Sequence, residues 1–229
     1  MIRWAVLVVF CFAGIQSLLA TTNSLFLNQE IAKSASIISS TSDSMVLDNP
    51  YMTVMQNRAV CTAAHTVNYG TRVIAALGTL TVKSSKGIIA LQRGQVAVFL
   101  ENETYQLPEG LYFEIAFKKN HPTLSVPEKW VEPLKNTTIY EDDQFRIFEE
   151  RLLPNDVRAL HSHAQRLVVR LNKVQLTDPR FSKVVKEGTG IQVPNTVKFA
   201  EPIVHAVKNL SDIPLFNIVI EFKVPHTTN

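Results

Sequence analysis

From residue 51 onward the chain is broken by turn formers, and the apolar runs between them are too short for helices and rich in Val, Ile and Phe. Such runs lie at 72–80, 88–91, 96–100 and 111–117, bounded by Gly70, by Ser84 and Ser85, by Gly94, and by Pro108, Glu109 and Gly110. Short runs of β-branched and aromatic residues between turn signals read as strands. A polar stretch with Pro122, Pro127 and Pro133 follows, and the same style then resumes at 144–153, 157–163, 166–174, 197–199, 203–207 and 215–224. The fold class is therefore all-β.

The second set of runs echoes the first. Arg72, Val73, Ile74, Ala75, Ala76, Leu77 and Gly78 lie over Arg166, Leu167, Val168, Val169, Arg170, Leu171 and Asn172. Ala97, Phe99 and Glu101 fall on Val197, Phe199 and Glu201, while Ile115, Phe117, Lys118 and His121 fall on Ile220, Phe222, Lys223 and His226. A period of about one hundred residues implies two copies of one β unit in tandem. The domain expectation is a first unit at 46–121, a linker at 122–143 and a second unit at 144–229.

The N-terminus reads as an export signal at 1–20. Arg3 supplies the positive end, residues 4–19 are uncharged and almost wholly apolar, and Ala20 precedes polar Thr21 and Thr22. The alternative is an uncleaved anchor, since Leu18 fits the small-residue rule poorly, but the apolar stretch is short for a span and contains Gln16. Cleavage, with a periplasmic or secreted protein and no membrane attachment afterwards, is the expectation. Residues 21–45, rich in Ser and Thr, form a lead-in.

Removal of Arg3 takes the formal charge from +3 to +2, with Lys and Arg scattered among acids, so there is no electrostatic footprint for nucleic acid. Cys11 leaves with the signal and Cys61 remains alone, which excludes an intramolecular disulfide and leaves a buried thiol as the default. No serine or cysteine has a neighbouring base that would support nucleophilic catalysis, and no phosphate-binding or dinucleotide motif is present.

The chemistry-bearing feature is the pair His161 and His163, one residue apart at the end of a strand, with His205 after a second strand-like run. Alternate strand residues share a face, so the paired imidazoles converge on one metal ion or polar ligand. Each run follows a turn, at Leu153-Pro154-Asn155-Asp156 and at Val193-Pro194-Asn195-Thr196, where Asn tolerates the left-handed conformation usually given to Gly. Gln165, Arg166, Arg170 and Asn209 are candidate pocket residues for a carboxylate or phosphate. Competing readings stand beside them: unbroken alternation puts Arg166 and Arg170 on the face opposite the histidines, and Asn209 suits a hairpin tip.

This arrangement resembles the cupin superfamily, whose first motif spaces a Gly five residues before His-x-His and whose second carries a third His followed by an Asn. Asn155 stands for the first Gly, Asn195 for the second, His161, His163 and His205 for the histidines, and Asn209 for the closing Asn. The resemblance implies two jelly-roll β-barrels, the first of them degenerate, with a ligand or metal in the mouth of the second. Its motif glutamate falls near Leu167 or Val168, which are apolar, and Glu201 is a replacement candidate. Three neutral imidazoles still suit a divalent Zn, Fe, Mn or Cu ion with open positions.

The functional expectation is an exported protein binding a metal ion or small organic ligand, as an enzyme on a small molecule or, alternatively, as a metal-free binding or structural protein. Barrels of this superfamily pair through their sheets, which implies a homodimer unless the two linked copies satisfy that edge within one chain.

Overall fold

A computed structural model of the protein describes residues 44–57, 70–106, 108–127, 129–131, 136–180 and 190–223. The signal segment, most of the lead-in, Cys61, His65 and His226 lie outside these residues. Among the described residues every regular element is a strand.

The first half supplies β1 (Ser44–Asp48), β2 (Met52–Asn57), β3 (Arg72–Ala76), β4 (Leu80–Ser84), β5 (Gly87–Leu91), β6 (Val96–Phe99), β7 (Tyr105–Gln106) and β8 (Tyr112–Phe117). The second half supplies β9 (Thr137–Glu141), β10 (Phe145–Leu152), β11 (Val157–His163), β12 (Arg166–Arg170), β13 (Gln175–Thr177), β14 (Gly190–Ile191), β15 (Thr196–Ala200), β16 (Ile203–Asn209) and β17 (Leu215–Phe222). Each half folds into two antiparallel sheets. The five-stranded ones have orders β1-β2-β8-β3-β6 and β9-β10-β17-β12-β15, and the smaller ones β5-β4-β7 and β11-β16-β13-β14.

The internal repeat is visible strand by strand. Arg72 pairs with Ala116 as Arg166 pairs with Glu221, in the register that the sequence comparison implies. One strand departs from it: Arg72 also pairs with Phe99, whereas Arg166 pairs with Ala200, so Ala200 and not Phe199 takes the place of Phe99. A one-residue slip reverses the face of every side chain. Phe99 accordingly lies inside the first barrel, and Phe199 packs outside the second, stacked on Tyr51 at 5.2 Å between centroids.

The two five-stranded sheets pack face to face. Met52, Val54, Val73, Phe113, Ile115 and Phe117 of the first join Phe145, Ile147, Leu167, Val169, Ile218, Ile220 and Phe222 of the second in one buried cluster. Phe117 and Phe145 stack across it at 4.5 Å. The turn before β6 locks the halves together: Arg93 donates to the Leu77 and Leu171 carbonyls and to Asn195 Oδ1, and Gly94 sits against the Phe216 ring. Gly94 has φ +83°, and a Cβ there would lie 2.4 Å from Phe216 Cζ, so both backbone and space demand glycine.

The expected linker is partly structural. Thr137–Glu141 pairs with β10, which extends the second sheet into 122–143. Val131 exchanges hydrogen bonds with Ser162 on β11, the Ser162 amide donating to the Val131 carbonyl and the Val131 amide to Ser162 Oγ. This covers an edge strand that would otherwise present unpaired backbone groups.

The opposite faces of the two large sheets line the barrel interiors. In the first barrel Ile74, Ala76, Leu80, Val82, Ala97, Phe99, Tyr105 and Tyr112 fill the space, and Arg72 and the Tyr105 hydroxyl both bond Glu114 at 2.5 Å. The second barrel buries a larger polar set: Glu150, Arg166, Asn217 and Glu221 from the large sheet and all three histidines from the small one.

Candidate metal centre

The three histidines converge because of strand register and one irregularity. His161 lies directly opposite His205 in the β11–β16 pair, and His163 is two residues along the same face. Between Arg158 and His161 the register shifts by an extra residue on β11. This bulge lets Arg158, His161 and His163 all point inward, which strict alternation forbids. The rings lie 4.6–5.4 Å apart between centroids and are 0%, 2% and 6% exposed for His161, His163 and His205.

Hydrogen bonding assigns the tautomers. His161 Nδ1 lies 2.7 Å from the Ala159 carbonyl, which sits inside the bulge, and His163 Nδ1 lies 2.7 Å from Glu221 Oε2. Both partners are acceptors, so the ring protons sit on Nδ1 and the Nε2 lone pairs are left bare. Those two Nε2 atoms face each other at 3.1 Å. Neither ring nitrogen of His205 has a hydrogen-bond partner among the described residues.

Two lone pairs aimed together beside an unpartnered buried imidazole are costly unless something electron-accepting lies between them. One nitrogen from each ring lies within 4.8 Å of the others. Metal–nitrogen bonds of about 2.1 Å place neighbouring ligand atoms about 3.0–3.5 Å apart, so the His161–His163 separation already suits an ion and His205 needs only a small shift. The donor set thus fits a divalent metal. Burial lowers the pKa of all three, reinforced at His163 by Arg166 and at His205 by the other two histidines, so each presents the neutral form that ligates metals.

Glu221 also accepts from Arg146 at 2.9 Å, and burial raises its pKa despite that partner. Phe148 lies parallel to the His163 ring at 6.2 Å. A carboxylate bonded to the far nitrogen of a ligating imidazole fixes its orientation and raises its basicity. Glu150 lies deeper, accepting from Asn217 at 2.9 Å and facing Arg158 at 3.5 Å. Burial raises its pKa, and the Arg158 and Arg166 guanidiniums and the Asn217 amide oppose that rise. Both glutamates are absent from the sequence-based candidate set. Their signal is the period of two that places Glu150 with Phe148 on one face of β10, and Asn217 and Glu221 with Val219 on one face of β17.

A cavity of about 60 Å³ opens beside the cluster, lined by His163, His205, Glu150, Asn217, Arg166, Arg170, Lys198 and Gln192 with apolar walls from Val168, Val219 and Leu176. Arg166 and Arg170 therefore face the same interior as the histidines. The alternation argument fails because the chain crosses between sheets at Ala164 and Gln165, so β11 and β12 are not one strand. Two other candidates are not in the pocket. Gln165 bonds Tyr51, Glu201 and the Ser125 amide outside it, and in doing so holds Glu201 away from the histidines. Asn209 is a turn anchor: its Nδ2 donates to the carbonyls of Leu152, Leu153 and Ile213, and its Oδ1 accepts from the Ser211 amide.

Two jelly-roll units in one chain, with a histidine cluster inside the second, define the class. No protein-family profile and no curated protein matches the sequence. Solved structures do match the fold. A putative glyoxylate induced protein from Pseudomonas aeruginosa superposes with TM-score 0.54 and 9% identity over 82% of this chain and 82% of that one. The Cupin 2 conserved barrel domain protein from Leptotrichia buccalis gives 0.52 and 10% over 81% and 90%, and protein Ylba from E. coli gives 0.52 and 9% over 77% and 81%. The chain has the cupin fold in two tandem copies. At these identities the likeness extends to fold alone.

Proposed function

We propose that the second barrel binds one divalent transition metal ion through His161, His163 and His205 and holds a small organic ligand in the adjoining cavity. The observation that carries this reading is the pair of Nε2 lone pairs held 3.1 Å apart by the Nδ1 bonds to Ala159 and Glu221. A bound ion would supply a Lewis-acid centre with open positions. The chain's own groups orient the imidazoles through Glu221 and Phe148, exclude bulk water with Val168, Val219 and Leu176, and shape the ligand space. Zn, Fe, Mn and Cu all suit three neutral imidazoles.

Elemental analysis of the native protein, purified without a histidine tag, tests the proposal. One equivalent of a transition metal is expected, falling to a small fraction in His161→Ala and His205→Ala. A parent protein without stoichiometric metal after incubation with each of the four ions overturns it.

Export is part of the same proposal and rests on Arg3, the apolar residues 4–19 and Ala20. N-terminal sequencing of the protein recovered from its source is expected to begin at Thr21. A start at Met1 overturns cleavage.

A further inference from the structure

Ser162 lies between the two histidines of β11, and its side chain points the other way. Successive strand residues alternate faces, so with His161 and His163 turned into the barrel the Ser162 hydroxyl stands on the outer surface of the small sheet. β11 is also the end strand of that sheet, paired with β16 on one side only. A residue so placed is ordinarily exposed, yet Ser162 is 0% exposed.

The segment joining the barrels covers it. The Ser162 amide donates to the Val131 carbonyl at 3.0 Å, the Val131 amide donates to Ser162 Oγ at 2.7 Å, and that hydroxyl donates to the Lys129 carbonyl at 3.0 Å. The hydroxyl therefore acts as donor and acceptor at once. A second grip lies two residues beyond His163, where the Ser125 amide donates to Gln165 Oε1 at 2.9 Å and Gln165 Nε2 donates to Glu201 at 3.0 Å. Residues 125–131 thus hold the chain on both sides of His163. Leu124, next to Ser125, packs on the apolar cluster shared by the two large sheets, which ties this strap to the centre of the molecule.

The strap meets β11 where the strand's own pairing is weakest. The bulge interrupts its register with β16 between Arg158 and His161, immediately before the two ligands. Ligand atoms must be held within about 0.5 Å to keep one ion, and a bulged end strand without support on its open side does not do this.

From this juxtaposition we propose that Ser162 is a positioning residue for the metal centre, and that docking of residues 125–131 on β11 and loading of the ion are coupled. The coupling rests on the proposed metal reading, whereas the orientation of His161 by the strap does not. Coupling is reciprocal, so a strap that tightens the hold on the ion is itself tightened by the ion.

Amide hydrogen exchange of the full chain with and without Zn(II), alongside metal analysis of the same samples, tests it. Loading is expected to slow exchange at the Val131 and Ser162 amides at least about tenfold more than at the Glu103 amide, which bonds the Leu100 carbonyl in the first barrel. This comparison needs no variant to fold. Ser162→Ala removes the two hydroxyl bonds, and Val131→Pro removes a donor without touching β11. Each is expected to weaken zinc about tenfold in chelator competition, the worth of one buried hydrogen bond. In metal-free protein, nitrogen NMR is expected to show the His161 proton on Nδ1 in the parent and a mixture of tautomers in Ser162→Ala. Equal slowing at all three amides, or unchanged zinc affinity in Ser162→Ala, overturns the coupling. A parent that takes up no metal while Ser162→Ala still releases the His161 tautomer supports the positioning role and overturns the metal reading. No metal together with an unaltered tautomer overturns both.

Discussion

Glu221 decides whether His163 presents a lone pair. Its Oε2 accepts the hydrogen bond from Nδ1, and its other oxygen is held by Arg146, so the carboxylate stays in place. Glu221→Gln keeps the shape but weakens that acceptor, and metal affinity measured by competition with a chromophoric chelator is expected to fall about 10–100-fold. Unchanged affinity would show that the bond plays no part. Asp178 carries a separate, pH-linked contribution. Its bonds from Arg180 lower its pKa from 3.8 to about 2, so its stabilisation is complete above the unfolded value and is lost as pH falls from about 4 towards 2. Asp178→Asn is expected to flatten the parent's acid unfolding in that window by about 1–2 kcal/mol, and an identical acid profile contradicts the assignment. Individual residues were legible where backbone chemistry was at stake: Asn155 and Asn195 have φ of +64° and +55°, as the turn reading requires. Gln165 and Asn209 were not, because an amide side chain gives no sign in sequence of whether it meets a ligand or a carbonyl.

At the scale of the strand, β11 carries the account. Its bulge places Arg158 on the interior face with the histidines, and the Ala159 carbonyl within the bulge accepts from His161. Deleting Leu160 removes the bulge, leaves Arg158 and His161 two residues apart on one face and withdraws the Ala159 carbonyl from His161 Nδ1. A fall in metal affinity of about 10–100-fold by chelator competition is expected, and unchanged affinity would contradict the role given to the bulge. Bulges and sheet crossings are where period-two reasoning stops. Arg166 faces the interior, against strict alternation, because Ala164 and Gln165 carry the chain to another sheet, and Phe99 aligns with Ala200 rather than Phe199 because β6 and β15 are too short for side-chain identity to fix register. The strands themselves were legible from β-branched runs and turn residues.

For the whole molecule, the face-to-face packing of the two large sheets makes residues 43–229 one compact unit. Phe145→Ala, in the middle of that interface, is expected to cost about 3–5 kcal/mol in a single unfolding transition monitored by both circular dichroism and fluorescence. Two separate transitions would show that the halves are independent. Gly94→Val collides with Phe216 and strains a left-handed backbone, and is expected to lower stability without altering metal stoichiometry. That the chain holds two similar β units was legible in the repeat. Which apolar face meets the other half was not, since both faces of strands such as Arg72–Ala76 are buried.

The proposed ion sits among three imidazoles in the second barrel. X-ray absorption at the edge of the bound metal is predicted to give about three nitrogen scatterers at about 2.0–2.2 Å with imidazole outer-shell scattering, lost in His205→Ala. A shell of oxygen alone, with no imidazole signature, would contradict it.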